Sequence, residues 1–431
     1  MKLAGSRRDA GGASVIVGIL LAGGVLLGMT AIVVDIGQLY AEREELQSGA
    51  DAAAMAIALD CGLGRGTECA AAQDTAAVYA KGNASDGAAS VLHVCGTDAT
   101  LAAPCTYTPR SNLTDCIGTV DSAAAYKYVE VHTRTQLPDG GFVLPPTFAQ
   151  ALAGGGPDAT IGACARVGWG APSTGLALTF CLDEWNTATG NGARLAPAPP
   201  EVPDVSFEVV LTTRTPGGGG PGGGGGPGGG GGPGGGGGPG GGGGPGGGGG
   251  PGGGGGPGGG GGPGGGATEP CEVNGSGADL PGGFGWTDIV PGSACLTQFF
   301  EVVLYSVEPG ANVESECEAA LLDLVESGEP IAVPIYDPDS PTGGGTGGTY
   351  ELEGFAAFVL TGWANLPLGA GENDHDSELS DREADPLCRA AVSGPSSGGQ
   401  CIFGYFTHAL VSGGDFGTTP SFGATLVKTI G

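Results

Sequence analysis

The sequence predicts an α+β fold. A long N-terminal transmembrane and ectodomain helix with a small antiparallel sheet precedes a disulfide-stapled, β-rich domain. Residues 13–34 carry no charged side chain, and helical spacing of apolar residues continues through residue 60. Runs rich in Phe, Val, Tyr and Thr, separated by Gly, Pro, Asp and Ser, follow in the C-terminal half. The 12 cysteines include no CxxC motif, which favours disulfides over zinc and places the bulk of the chain outside the reducing cytosol.

The uncharged stretch, ASVIVGILLAGGVLLGMTAIVV, is long enough to cross a bilayer as one helix. At about 1.5 Å per residue, its 22 residues span a hydrocarbon core of roughly 30 Å. Lys2, Arg7 and Arg8 lie in the preceding residues 1–12, which predicts a cytoplasmic N-terminus and an external remainder. A cleaved signal peptide is the alternative, but a retained anchor is favoured because the apolar core is longer than a typical signal peptide's.

Four residues are predicted to pack helices in the membrane or at its outer surface: Gly24, Gly28, Asp35 and Tyr40. Gly24 and Gly28 have the GxxxG spacing that lets membrane helices approach closely, although small residues are also common in membrane helices without such contacts. Apolar residues at helical spacing over 35–60 predict that the same helix continues outside the membrane and stops near Gly62.

The N-terminal motifs resemble a known family. The membrane helix ending VVDIGQLY, followed by AEREELQSGADAAAMAIA, is similar to the N-terminal signature of TadE/TadG-like proteins of Flp (tight adherence) pilus assembly. Weaker similarity continues over residues 129–170, and segments such as IAVPIYD and CIFGYFTHAL look like the C-terminal region of actinobacterial members. The resemblance implies a membrane-anchored, minor pilin-like protein without catalysis of its own, with pilus assembly proteins as partners. The glutamate of a prepilin cleavage motif is replaced by Ala10 or Val17, so permanent anchoring is expected.

Cysteine parity predicts two ectodomains. A division near Gly170 leaves six cysteines on each side, so all cysteines of a unit can form disulfides within that unit. The first unit, 61–170, combines the helix with a small sheet in a pilin-like plan; the second, 171–431, is β-rich. The disulfide candidates are Cys61, Cys69, Cys95, Cys105, Cys116 and Cys164 in the first unit and Cys181, Cys271, Cys295, Cys317, Cys388 and Cys401 in the second.

A Gly/Pro tract at 216–266 interrupts the second unit under this division. Residues 217–266 comprise 42 glycines and eight prolines, which offer no side chains for a core. The tract is expected to be a flexible loop or spacer, and Cys181 is then expected to bridge to a cysteine beyond it. A disulfide between the two ectodomains would satisfy parity equally well.

Charge and motifs exclude several functions. A net charge of −30 opposes binding to nucleic acid, which requires clustered Lys and Arg. No hydrolase, metalloprotease or phosphate-binding motif occurs outside the Gly/Pro tract, so no enzyme activity, cofactor or metal is predicted. Asp374, Asp376, Glu378 and Asp385 approach the spacing of a calcium loop, but Leu379 replaces its glycine, and a solvated acidic loop is favoured.

The sequence therefore predicts a single-pass protein of the cell membrane that serves a Tad-type Flp pilus or secretion apparatus as a structural or assembly component. The alternative function is an extracytoplasmic adhesin or envelope-binding module that uses the C-terminal β-rich domain.

Overall fold

A computed structural model describes residues 10–101, 104–105, 116, 126–148, 159–212, 284–287, 289–293, 295–299, 304–309, 315–337, 349–366, 368, 373–391 and 400–431. Several predictions fall outside these residues: the basic N-terminus, Cys271 and the Gly/Pro tract. The predicted mixture of helix and sheet is confirmed.

Two helices begin the described chain: α1 at Ala10–Ala22 and α2 at Val25–Gly62. The prediction of one continuous helix is wrong, because the chain breaks at Gly23 and Gly24. Gly24 has φ 70°, a left-handed conformation that glycine adopts without steric cost. Within the described part of the chain, no helix has both the length and the apolar character needed to cross a membrane.

Helices α3 (Gly66–Ala70) and α4 (Ala72–Asn83) follow, and α4 returns along α2. The two helices approach closely at Gly49, where an added Cβ would lie 3.0 Å from the Cα of Ala80. Alanines dominate this contact because small side chains allow the helix axes to come together.

The first sheet has the strand order β1 (Ala89–Gly96), β2 (Lys127–Thr135), β3 (Gly162–Gly170), β15 (Ala424–Thr429) and β13 (Ala409–Leu410). All neighbours are antiparallel except β15 and β13. The C-terminal strand β15 therefore completes a sheet that begins near the N-terminus, with Val427 opposite Trp169.

Helix α2 covers one face of this sheet. Ala50, Ala53 and Ile57 are fully buried against Val129 and Val131 of β2. These valines alternate with polar residues along β2, as expected for a strand with one face in the core. The opposite face carries the polar cluster described below.

The second sheet draws strands from both sides of the Gly/Pro tract. Its order is β10 (Ile331–Tyr336), β5 (Leu178–Cys181), β7 (Phe284–Thr287), β9 (Leu304–Pro309), β11 (Thr349–Ala364), β12 (Cys401–Thr407) and β6 (Val209–Thr212). Strand β10 also pairs with β11, so the five strands β10, β5, β7, β9 and β11 form a closed ring of hydrogen-bonded neighbours. Short strands β4 (Thr174–Leu176) and β8 (Leu296–Gln298) pair with each other, and β14 (Ser421–Phe422) pairs with β11.

Three further helices, α5 (Leu182–Thr189), α6 (Ser315–Ser327) and α7 (Ala384–Ala391), pack around these strands. The main core contains fully buried Phe180, Phe284, Phe358 and Trp363. Among the described residues, five cysteine pairs lie at disulfide distance: Cys61–Cys69, Cys95–Cys105, Cys116–Cys164, Cys295–Cys317 and Cys388–Cys401.

Candidate functional site

The first candidate site lies where α2 meets the loop between β2 and β3. Asp35 Oδ1 accepts the backbone N–H groups of Thr147 and Phe148, each at 3.0 Å. The Thr147 hydroxyl donates to Gln38 Oε1 at 2.8 Å. Because positions 35 and 38 lie on one face of a helix, they contact the loop from the same side, Asp35 through the backbone and Gln38 through the Thr147 hydroxyl. This carboxylate therefore joins α2 to a loop far away in the sequence.

Large apolar side chains are exposed around this site. Phe148 is 48 % exposed and Tyr40 is 65 % exposed. Further exposed apolar residues precede them on α1 and α2: Val15, Ile16, Val17, Ile19, Leu21, Met29, Ile32, Val33, Val34 and Ile36. Such a long exposed apolar surface indicates contact with lipid or another protein, because soluble monomers rarely expose large apolar patches.

The four predicted helix-packing residues have different environments. Gly24 is the left-handed residue of the break, and an added Cβ there would meet no described atom within 4 Å. Gly28 lies in α2, and its N–H donates to the Gly24 carbonyl at 2.8 Å. Asp35 contacts the loop, and Tyr40 points to the exterior. Their role in packing helices stays a prediction.

A buried polar cluster occupies the other face of the first sheet. Glu130 of β2 lies opposite Arg166 of β3, and Arg166 Nε donates to Glu130 Oε1 at 2.6 Å. His132 Nε2 is 3.1 Å from Glu130 Oε2, and the rings of His132 and His93 are 4.2 Å apart. Glu130, His132 and Arg166 are each less than a tenth exposed.

The cluster keeps its charges paired. Burial alone would raise the pKa of Glu130, but hydrogen bonds from His132 and Arg166 outweigh it and hold the pKa below its ordinary value. Burial, aided by the neighbouring His132, lowers the pKa of His93 to about 4. His93 is therefore neutral at physiological pH, whereas the Glu130 carboxylate is ionised against the Arg166 guanidinium.

In the described residues, three sets of possible metal ligands overlap this cluster. They are Cys116, Glu130, His132 and Cys164; His93, Cys95 and His132; and Cys95, Cys105 and Glu130. Cys116 is joined to Cys164, and Cys95 to Cys105, so their sulfurs are not thiolates, the form in which cysteine binds metals. The two disulfides instead tether Cys105 to β1 and Cys116 to β3.

A cavity of about 490 Å³ lies where α2 ends against the C-terminal strands. His408 Nε2 and the Thr425 hydroxyl both donate to the Gly62 carbonyl, at 3.2 and 3.1 Å. Burial lowers the pKa of His408 although this hydrogen bond opposes the shift. The arrangement satisfies a carbonyl at the end of α2 and links that helix to β15.

The carboxylates of the acidic segment near residue 380 bond to groups on the segment itself, directly after the end of β11 and on α7. Asp374 Oδ1 accepts the Asn365 N–H, and Asp376 Oδ1 accepts the Ala384 N–H. Asp385 pairs with Arg389 at 2.8 Å. Among the described residues, Asp374, Asp376, Glu378 and Asp385, which approach the calcium-loop spacing, belong to no group of side chains close enough to hold one metal ion.

Two features went unnoticed in the sequence. The loop contact of Asp35 has no local signal, because its partners lie over a hundred residues away. The alternation of Glu130, His132 and Arg134 with valines and Thr133 was visible in β2 and indicates a polar face. That alternation was a usable signal for the buried cluster.

The comparisons with known proteins identify one region. Residues 11–58 match the family model described as Tad, putative Flp pilus-assembly TadE/G-like. The match covers nearly all of α1 and most of α2. No curated protein and no solved structure matches the chain.

Proposed function

Because its N-terminal helices carry a TadE/G-like Flp pilus-assembly domain, we propose that this chain is a membrane-anchored, minor pilin-like structural component of that assembly. The observation that carries the proposal is the match over residues 11–58. It coincides with the helices whose apolar side chains are exposed. Lipid and pilus assembly proteins are the proposed partners.

The proposed anchor is residues 13–34, which cross the bilayer as two helices in series. Backbone groups in a bilayer must be satisfied internally, and a glycine break is tolerated where local bonds replace the helical ones. Here the Gly23 N–H donates to Ile19 at 2.7 Å and the Gly24 N–H to Leu21 at 3.2 Å. The break therefore keeps these backbone donors paired.

The proposed topology places the N-terminus in the cytoplasm. Residues 1–34 hold three basic residues and one acidic residue, which leaves 15 − 3 = 12 basic and 45 − 1 = 44 acidic residues after them. The positive-inside tendency then places the acidic, cysteine-containing part outside. The disulfide-bonded cysteines suit such an oxidising environment.

A structural role also fits the first sheet. Helix α2 extends from the apolar segment and packs along an antiparallel sheet, a plan in which the helix connects the membrane to a compact ectodomain. The chemically conspicuous groups of that ectodomain, Glu130 and Arg166, are buried against each other. We propose that they stabilise the sheet and do not act on a substrate.

Deletion and complementation in the native host test this function. Deletion is expected to abolish piliation and surface adherence, and the full chain is expected to restore both. A second version exports residues 35–431 behind a cleavable signal peptide and is expected to fail, because it lacks the anchor. Unchanged piliation after deletion would overturn the pilus role; restoration by the released version would overturn the anchor.

A further inference from the structure

We propose that the loop after β2 makes a second membrane contact at Phe148. In this inference, the Phe148 side chain enters the headgroup region of the bilayer from which α2 emerges. The inference rests on the proposed membrane anchor and extends it by assigning lipid as the partner of an ectodomain loop. The proposed partner of this side chain is lipid, at the level where the headgroups meet the acyl chains.

The hydrogen bonds of Asp35 fix the height of this loop. Asp35 is the first charged residue after the uncharged stretch, and it binds the N–H groups of Thr147 and Phe148. The sheet contacts α2 higher up, where the Thr133 hydroxyl donates to the Leu46 carbonyl at 3.0 Å. At about 1.5 Å per residue, the loop reaches roughly 16 Å along α2 from the sheet toward the membrane.

The side chains of the loop suit an interface. Phe148 is 48 % exposed, and Tyr40, five residues after Asp35 on α2, is 65 % exposed. Aromatic rings are enriched at the level of lipid headgroups.

Lipid is favoured over a second protein as the occupant. Phe148 is held at Asp35, next to the exposed Ile36, so it extends the exposed apolar surface of α2. The proposed anchor already surrounds the preceding part of α2 with lipid. Between residues 136 and 148 the sole charged residue is Asp139. Pro145 and Pro146 restrict the loop, so little conformational entropy is lost on insertion.

Fluorescence quenching in vesicles tests the contact. The full-length Phe148→Trp variant is reconstituted in vesicles of phosphatidylcholine and phosphatidylglycerol, with or without bromine on the upper acyl chain. We expect bromolipid to quench the emission added by the new indole. The matched control is Tyr79→Trp, an exposed aromatic position on α4, and its added emission is expected to resist quenching.

Flotation of the same vesicles separates the two proposals. Protein that floats with the vesicles but shows no added quenching for Phe148→Trp would overturn the loop contact and leave the anchor standing. A blue shift without quenching would have the same meaning and would indicate protein as the covering partner. Failure to float would overturn the anchor and, with it, the loop contact.

Discussion

Asp35 Oδ1 accepts the backbone N–H groups of Thr147 and Phe148 at 3.0 Å, although these residues are 112 and 113 positions away. The acceptor in both bonds is a carboxylate, and hydrogen bonds to carboxylates are shorter and stronger than those between neutral groups. The carboxylate thus determines where the loop between β2 and β3 lies along α2. Its substitution has a local consequence that can be measured.

Asp35→Ala is expected to release the loop with little effect on overall stability. The free energy of unfolding should fall by about 1 kcal/mol or less, because the bonds are exposed. Hydrogen exchange at Thr147 and Phe148 should accelerate, measured by mass spectrometry on the protein in detergent. Asp51→Ala is the control, since it removes an exposed carboxylate from the same helix. Equal exchange rates in Asp35→Ala and wild type would show that the Asp35 carboxylate does not hold the loop.

Glu130→Ala is expected to destabilise the chain by about 3 kcal/mol, because it leaves the buried Arg166 guanidinium without its main counter-charge. Arg389→Ala breaks an exposed ion pair and should cost no more than about 0.5 kcal/mol. Urea unfolding followed by tryptophan fluorescence gives both values. The double variant Glu130→Ala/Arg166→Ala should lose less than the sum of the single losses. Additive losses would show that the two side chains are not coupled.

Mild acid is expected to destabilise the first sheet through His93. Its pKa is about 4 in the folded chain and about 6.5 when unfolded, so the unfolded state binds more protons between these values. The stabilising contribution is complete above pH 6.5 and is lost as the pH falls toward 4. Urea midpoints should therefore drop between pH 7 and pH 5, and His93→Gln should drop less. An identical pH dependence for both proteins would exclude His93 as the cause.

Local patterns predicted the elements but not how they meet. Polar and apolar residues alternate in YKYVEVHTRT, which predicts a half-buried strand, and β2 is observed there at Lys127–Thr135. The helical spacing after Asp35 predicts the outer part of α2. Apolarity alone did not reveal the break at Gly23 and Gly24, because it carries no information about backbone φ. The pairing of β15 with β3 joins distant parts of the chain, which local periodicity does not encode.

The Gly/Pro tract is expected to be dispensable for folding. Strand β6, before the tract, pairs with β12, and β7, after it, pairs with β5, so strands from both sides share the second sheet. Loop-closure entropy changes slowly with length, so deleting residues 217–266 should stabilise the chain by about 1 kcal/mol at most. Thermal unfolding of the deletion variant measures this. A large loss of stability would show that the tract makes contacts of its own.

Cys181 is predicted to bridge across the tract to Cys271. Among the described residues, ten cysteines form the five pairs given above and Cys181 is also disulfide-bonded, so Cys271, the remaining cysteine of the sequence, is the predicted partner. Such a bond would tie the end of β5 to the chain beyond the tract and make both sides one covalent unit. Peptide mapping of the unreduced protein should recover a peptide containing Cys181 joined to one containing Cys271. A Cys181 linked to a residue before Pro216, or recovered as a free thiol, would remove the argument that the tract is an insertion within one domain.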